Sequence, residues 1–286
     1  MKLAIIGDLH YPIELTNPNP QIEQARDAYY EHFMDKFLAI DADYHISVGD
    51  LTHAGEYSEF NYIMNKIADS KFSGQFLHIL GNHDTYTYPK KDILAVTKQQ
   101  RYGFIEGPDA TILLLDTARE TRDDWSGTID EEQLDWLKQQ MSRPTDRPLL
   151  VFGHHPLYGT TERSTEEMMS LDPNLDIWPV LEQWKGNGFY FNGHNHIHSI
   201  VSKDNWHFIQ TASVPDVPAV RIVTVLEDEV KLETVSIASE ELTEWASLFT
   251  ASMFDYDIYP NAEGDSKAAE LIVSSLHTGR KRVDHK

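Results

Sequence analysis

Residues 76–84 of the chain are Phe-Leu-His-Ile-Leu-Gly-Asn-His-Asp, a largely apolar run that ends in glycine, an amide, an imidazole and a carboxylate. The run predicts a strand over Phe76–Leu80, and Gly81 marks its end. Asn82 then offers an oxygen ligand directly beside His83, which can exchange a proton near neutral pH. Three such residues in a row after a strand seldom arise by chance, so this block indicates a functional site.

Four other junctions between an apolar run and a loop carry the same residue types, always beside a glycine. In an extended chain, residues two apart point to the same side, so an Asp or His pair with that spacing can face one ion. A single pair of this kind is weak evidence, but five ordered blocks are strong evidence. The four further blocks are Gly7-Asp8-Leu9-His10, Gly49-Asp50, Gly153-His154-His155-Pro156 and Gly193-His194-Asn195-His196.

Strand and helix patterns alternate through most of the chain. The predicted strands that precede the five blocks are Leu3–Ile6, Tyr44–Val48, Phe76–Leu80, Leu149–Phe152 and Phe189–Phe191. The predicted helices are Ile22–Ile40, Tyr57–Ala68, Asp130–Met141 and Leu175–Trp184, and hairpins or meanders are expected over Tyr102–Asp116 and Ile197–Ile237. This order predicts an α/β protein with two packed sheets and helices outside them.

The pattern changes after Ile237. Apolar residues from Leu242 to Met253 have the spacing of one helix face, and a second, weaker helical pattern covers Ala268–Leu276. We expect the first of these helices to pack on the body of the chain rather than on a partner.

The donor types of the five blocks define the class of metal. Imidazole nitrogen together with carboxylate oxygen suits Mn, Fe, Zn or Co better than Ca. The chain contains no cysteine, which excludes disulfides and the common thiolate sites of structural zinc. The blocks therefore indicate a catalytic metal centre.

In these blocks the chain resembles the calcineurin-like metallophosphoesterase family, whose blocks run Asp-x-His, Gly-Asp, Gly-Asn-His-Asp or Glu, His and Gly-His-x-His. The resemblance extends from residue 1 to about residue 240, and its details resemble bacterial phosphodiesterases of the cyclic-nucleotide and glycerophosphodiester type. It implies a four-layer α/β/β/α sandwich of two mixed sheets with a metal pair at the sheet edges. We accordingly expect a metallophosphoesterase catalytic domain over residues 1–240 and a C-terminal helical extension with a basic tail over residues 241–286.

The family pattern also implies two divalent or mixed-valence metal ions, with Mn, Fe, Zn and Co all open. One ion would be held by Asp8, His10, Asp50 and His196, and the other by Asp50, Asn82, His154 and His194, with Asp50 as the bridge. Asn82 and His83 would also bind substrate. Many family members carry an acid three residues after the bridging Asp, where it can orient the imidazole, but this chain has His53 there. Asp84 is the alternative group that could orient His83.

The leading functional hypothesis is hydrolysis of a phosphodiester of the cyclic-nucleotide or glycerophosphodiester class. A hydroxide bridging the two ions would attack phosphorus, and His83 would contact a phosphoryl oxygen or protonate the leaving group. A phosphomonoesterase or a nucleotide pyrophosphohydrolase could use the same residues. A non-catalytic interaction module that retains the fold is the alternative from another functional class.

The charge of the chain restricts its partners. With 46 acidic and 24 basic residues, the net charge is −22, which disfavours extended contact with nucleic acid or an anionic membrane. A small phosphate ester could still bind where metal ions supply local positive charge. No apolar run resembles a signal peptide or a membrane span, so a cytoplasmic location is expected. The basic tail His277–Lys286 is expected to be solvated, and homo-oligomerisation is left open.

Overall fold

The computed structural model describes residues 1–72, 74–143, 147–175 and 177–274, so the predicted basic tail lies outside the described residues. The strands are β1 (Lys2–Ile6), β2 (Tyr44–Ser47), β3 (Gln75–His78), β4 (Gly103–Glu106), β5 (Thr111–Leu114), β6 (Leu149–Phe152), β7 (Gly188–Asn192), β8 (Ser199–Lys203), β9 (Trp206–Gln210), β10 (Ala219–Val225), β11 (Glu229–Ser236) and β12 (Glu270–Ser274). The helices are α1 (Pro20–Leu38), α2 (Tyr57–Asp69), α3 (Lys90–Thr97), α4 (Glu131–Met141), α5 (Trp178–Leu181) and α6 (Glu240–Thr250).

The strands form two mixed sheets. The first has the order β12-β11-β10-β1-β2-β3, in which β1, β2 and β3 are parallel and the other pairs are antiparallel. The second has the order β4-β5-β6-β7-β9-β8, in which β5, β6, β7 and β9 are parallel and the two edge strands are antiparallel. The carboxyl ends of the parallel strands in each sheet therefore meet along one edge.

Alternation along the strands separates three apolar cores. Ala4 and Ile6 of β1 pack beneath α1, whereas Leu3 and Ile5 point into the space between the sheets. A third core lies between the outer face of the second sheet and α4 and α5, where Leu137 meets the sheet. Three cores between four layers give the α/β/β/α sandwich that the family resemblance implied.

Two helix starts follow from capping residues. The Asn19 side chain accepts the backbone N–H groups of Gln21 and Ile22, and Pro20 occupies the first turn of α1. The Asp130 side chain accepts the N–H of Gln133 at the start of α4, as its position in the sequence predicted. No helix among the described residues is both long enough and apolar enough to cross a bilayer.

Helix α6 packs on the chain itself, as expected. Its buried residues Leu242 and Phe249 join the core beneath α1, and the Phe249 ring lies 5.2 Å from that of Tyr29. We retain the division of the chain after residue 240 as a proposal.

Two local predictions differ from the structure, and one helix was missed. The helix expected over Leu175–Trp184 is reduced to the single turn of α5. Within the described part of Ala268–Leu276 there is a strand, β12, instead of a helix, because Leu271 and Val273 pack against the core between the sheets while their neighbours are exposed. Helix α3 was not predicted.

Candidate metal centre

All seven predicted metal donors lie at the carboxyl ends of parallel strands. The first sheet carries four of them, in the loops after β1, β2 and β3, and the second sheet carries the other three, in the loops after β6 and β7. The two sheets thus supply opposite walls of one polar cluster. In chain order the donors are Asp8, His10, Asp50, Asn82, His154, His194 and His196.

Four of these side chains form one group. The Nε2 atoms of His10 and His196 are 3.0 Å apart, and His196 Nε2 lies 3.3 Å from Asp8 Oδ2. Asp50 Oδ2 lies 3.7 Å from His10 Nε2. The group is the one that the family pattern assigned to the first ion.

A second group uses the same oxygen of Asp50. Asp50 Oδ2 is 3.3 Å from His154 Nε2, which in turn is 3.1 Å from Asn82 Oδ1. His194 Nδ1 lies 3.0 Å from Asn82 Oδ1 and 3.3 Å from His154 Nε2. Asp50 Oδ2 is therefore the atom common to both groups.

These spacings fit two cations. Ligands bonded to one ion at about 2.1 Å lie roughly 3 Å from one another in an octahedral arrangement. The groups consist of imidazole nitrogens and of carboxylate and amide oxygens, the donor types that suit Mn, Fe, Zn and Co. Asp8 and His154 are fully buried, and such closely spaced buried polar groups are costly without a charge to balance them.

Hydrogen bonds on the outer side fix the tautomer of two of the histidines. His154 Nδ1 donates to Val48 O at 2.9 Å, and His194 Nε2 donates to Met168 O at 3.0 Å. In the neutral rings the opposite nitrogen is then unprotonated and faces the cluster. Both rings are thus prepared to bind a metal.

The backbone at the site is strained. Asp50, His10, His194 and His196 all have positive φ, at 47°, 47°, 70° and 55°. Each non-glycine residue with positive φ costs about 1–3 kcal/mol in the free energy of folding, and contacts with the surrounding structure must offset that cost. The strain is thus concentrated at four of the seven predicted donors.

The glycines of the blocks leave room for the donors. A Cβ on Gly81 would overlap the Asp50 carboxylate, and one on Gly193 would overlap the Asp8 carboxylate. These two positions therefore need glycine because a neighbouring loop with its carboxylate comes too close for any side chain, and not because a turn is formed there.

Burial and mutual charge change the protonation of the donors. Burial raises the pKa of Asp50 to about 6. For His154, burial lowers the pKa, but the nearby Asp50 and Asp8 outweigh it and raise the value to about 9. Burial and the neighbouring His154 lower the pKa of His194 to about 3. Metal ions would take the place of the protons that these groups share.

His83 is held by a backbone carbonyl. Its Nδ1 donates to His53 O at 2.7 Å, which turns Nε2 away from that bond. Burial lowers the pKa of His83 well below its usual value. The group expected at the position of His53 was an acid, and here the main chain of that residue orients the imidazole instead.

Asp84 does not orient His83. Its carboxylate accepts the N–H groups of Gly81 at 3.0 Å and Thr52 at 2.9 Å, and it also accepts the Thr52 hydroxyl at 2.7 Å. Asp84 therefore joins the loops after β2 and β3, so its role is to hold Asp50 and Asn82 in place.

Two residues near the donors were not found by sequence reasoning. Asp216 Oδ2 lies 3.7 Å from His196 Nδ1, and the Tyr256 hydroxyl donates to Asp216 Oδ1 at 2.8 Å. Neither belongs to a recognisable block, and no local signal could have identified them. A third neighbour is Tyr86, in the loop after the Gly81–Asp84 block, whose hydroxyl accepts from Asn82 Nδ2 at 3.0 Å.

His155 supports the second group from outside. Its Nδ1 lies 2.8 Å from Thr117 Oγ1, its Nε2 donates to Trp125 O at 3.0 Å, and its ring centroid is 4.3 Å from that of His194.

Comparison with known proteins gives one family match. Residues 1–198 match the family described as calcineurin-like phosphoesterase. This range contains all five blocks of the candidate metal centre.

Two curated relatives share a name. A "Probable cyclic nucleotide phosphodiesterase" of Rhodopseudomonas palustris is 30% identical over 156 residues, which cover 53% of this chain and 56% of that protein. A protein of the same description from Moraxella catarrhalis is 22% identical over 188 residues, covering 60% of this chain and 62% of that protein. The chain thus spans less than two thirds of the length of either relative.

A solved structure shares the fold. The dimetal phosphatase from Danio rerio superimposes with a TM-score of 0.63 at 15% identity, covering 83% of this chain and 96% of the other. At that identity the likeness concerns the fold alone.

Proposed function

This chain belongs to the calcineurin-like phosphoesterase family, and on that premise we propose that it hydrolyses phosphodiesters of the cyclic-nucleotide or glycerophosphodiester class with two metal ions. The observation that carries the proposal is the sharing of Asp50 Oδ2 between two groups of donors. The names of the relatives from Rhodopseudomonas palustris and Moraxella catarrhalis support the diester class.

We assign the ligands by these groups. Asp8, His10, Asp50 and His196 would hold one ion, and Asp50, Asn82, His154 and His194 the other. Bound there, the ions would activate a water molecule and balance the charge of the phosphoryl group.

His83 is the proposed proton carrier. Because Nδ1 is engaged with the His53 carbonyl, a proton held on Nε2 is the one that His83 could give to the leaving oxygen. A correctly placed acid of this kind contributes roughly a hundredfold to ten-thousandfold in rate.

Asn82 is proposed to bind substrate together with His83. Its amide nitrogen donates to Tyr86, which fixes the amide orientation and leaves Oδ1 facing the second group of donors. The ring of Tyr86 lies 4.4 Å from that of His83, so these three residues form one side of the site.

The test is a paired assay after reconstitution with Mn, Fe, Zn or Co. An aryl phosphodiester, its monoester and a 3′,5′-cyclic nucleotide would be compared at equal metal loading. We expect at least one diester to have a kcat/KM roughly tenfold or more above that of the monoester. Faster cleavage of the monoester would contradict the diester class.

Asp50→Asn tests the shared ligand. In the unaltered protein, Asp50 Oδ1 accepts the backbone N–H of His83 at 2.8 Å. The Asn side chain keeps an oxygen that can accept this bond but lacks the negative charge. We expect activity to fall roughly a thousandfold or more and bound metal to fall with it. Asp228→Asn, in the exposed turn between β10 and β11, is the control and should change neither. Normal metal content in Asp50→Asn would refute the bridging role.

A further inference from the structure

Tyr256, in the C-terminal segment Phe254–Tyr259, lies beside His10 and His196. We propose that Tyr256 and Asp216 are positioning residues for this half of the metal centre, so that the segment is a functional part of the site. The inference rests on the proposed function, because it concerns the ion assigned to Asp8, His10, Asp50 and His196.

Tyr256 touches both histidines of that group. Its ring centroid lies 5.2 Å from that of His10 and 5.4 Å from that of His196. Its hydroxyl lies 2.6 Å from Ser213 Oγ, which donates to the backbone carbonyl of Asp8 at 3.1 Å. Tyr256 thereby connects the segment with three of the four proposed ligands of one ion.

Asp216 links the same hydroxyl to the His196 ring. Its Oδ1 accepts from Tyr256 at 2.8 Å, and its Oδ2 accepts the backbone N–H of Tyr259 at 3.3 Å. Oδ2 also lies 3.7 Å from His196 Nδ1, the nitrogen opposite the one that faces the donors. A carboxylate behind a metal-binding imidazole orients the ring and makes its other nitrogen a better ligand.

His53 fastens the start of the segment. Its side-chain Nε2 donates to Phe254 O, while its own carbonyl accepts from His83 Nδ1. The residue that departs from the family pattern therefore connects the segment to the proposed proton carrier.

The other half of the centre has separate support. His154 and His194 are held by the carbonyls of Val48 and Met168, and His155 is held by Thr117. None of these contacts involves the C-terminal segment. Loss of Tyr256 or Asp216 contacts should consequently weaken one metal site and spare the other.

The experiment measures the two sites separately. Metal-free full-length protein would be titrated with Mn²⁺, with free and spin-coupled Mn²⁺ followed by electron paramagnetic resonance. Tyr256→Phe removes only the hydroxyl, and Asp216→Asn removes only the charge. We expect each variant to weaken one binding step about tenfold or more, to leave the other within about twofold, and to lose the spin-coupled signal at limiting Mn²⁺.

Tyr259→Phe is the matched control, because it alters a tyrosine of the same segment whose contact with Asp216 is made by the backbone. It should bind Mn²⁺ like the unaltered protein. Equal weakening of both steps, or no change in either variant, would overturn the inference while the proposed function stands. An unaltered protein that binds fewer than two ions would overturn both.

Discussion

The two oxygens of the Asp50 carboxylate have different partners. Oδ1 accepts the backbone N–H of His83 at 2.8 Å, whereas Oδ2 faces His10 in one group and His154 in the other. A bridge through Asp50 would therefore use a single atom. The other oxygen, Oδ1, anchors the backbone at His83. The Asp50 side chain thus influences both the proposed metal bridge and the position of the proposed proton carrier.

Gly193→Ala should damage the site without removing a ligand. The added Cβ would overlap the Asp8 carboxylate, which accepts the His194 N–H at 2.9 Å, and the loops after β1 and β7 would have to separate. We expect a loss of roughly 2 kcal/mol in the free energy of unfolding and a lower metal content. Urea denaturation and elemental analysis measure these quantities.

Gly103→Ala is the comparison for that variant. A Cβ there would meet only the end of the Gln100 side chain, at 3.1 Å, and that side chain can move. Its metal content should be unchanged. If Gly193→Ala also retained full metal content, the close contact between Gly193 and the Asp8 carboxylate would not explain why this position is a glycine.

The residues that could be predicted from sequence are those in local blocks. All seven donors belong to blocks that follow a strand and begin with a glycine, and the structure brings their side chains together; their roles as ligands stay a proposal. Asp216, in the loop between β9 and β10, and Tyr256, after α6, could not be predicted, because only the tertiary fold brings them close to His196. Asp84 was placed next to His83 by sequence order, but its carboxylate turns towards backbone N–H groups.

Among the elements, the strands of the buried sheets were predicted best. Strand β6 has the predicted bounds Leu149–Phe152, since four consecutive apolar residues fit a strand covered on both faces. Strand β12 was mistaken for a helix because its five residues fit both the helical and the strand spacing of apolar residues. Pairing with β11 makes the segment a strand. Short segments at the edge depend on tertiary contacts that composition does not reveal.

Arg221 of β10 connects β9 and β11 with the turn before β12. It is fully buried, and burial lowers its pKa to about 9. Its guanidinium donates to the Thr234 hydroxyl of β11, to the carbonyl of Ala268 just before β12, and to the carbonyl of Gln210 of β9. One side chain thus joins both sheets to the turn that leads into β12.

Arg221→Met should loosen this junction, because the buried carbonyls would lose their donor. We expect the free energy of unfolding to fall by roughly 3 kcal/mol and proteolysis of the segment between α6 and β12 to become faster. Urea denaturation and limited proteolysis are the measurements. Lys231→Met on β11, where the side chain is exposed, should have little effect. Equal behaviour of the two variants would contradict the assigned role.

At the scale of the whole molecule, the net charge of −22 should limit stability. Repulsion among surface carboxylates is screened by salt, since the Debye length falls from about 30 Å at 0.01 M to about 10 Å at 0.1 M. We expect the free energy of unfolding of the metal-free protein to rise by on the order of 1 kcal/mol over that range. Urea denaturation at neutral pH measures the change.

The same series near the isoelectric point of 4.9 is the control, because the net repulsion is absent there. The salt effect should become small at that pH. A stability that falls with salt at neutral pH would show that favourable charge pairs outweigh the repulsion.

The origin of the donors from both sheets has a consequence for biosynthesis. Each proposed ion draws on side chains from the first hundred residues and on side chains beyond residue 150. A nascent chain leaving the ribosome cannot assemble either coordination shell until His194 and His196 have emerged. Premature capture of metal by the amino-terminal half would involve at most three of the four ligands, so complete loading of either proposed site would have to follow the emergence of β7 and the loop after it.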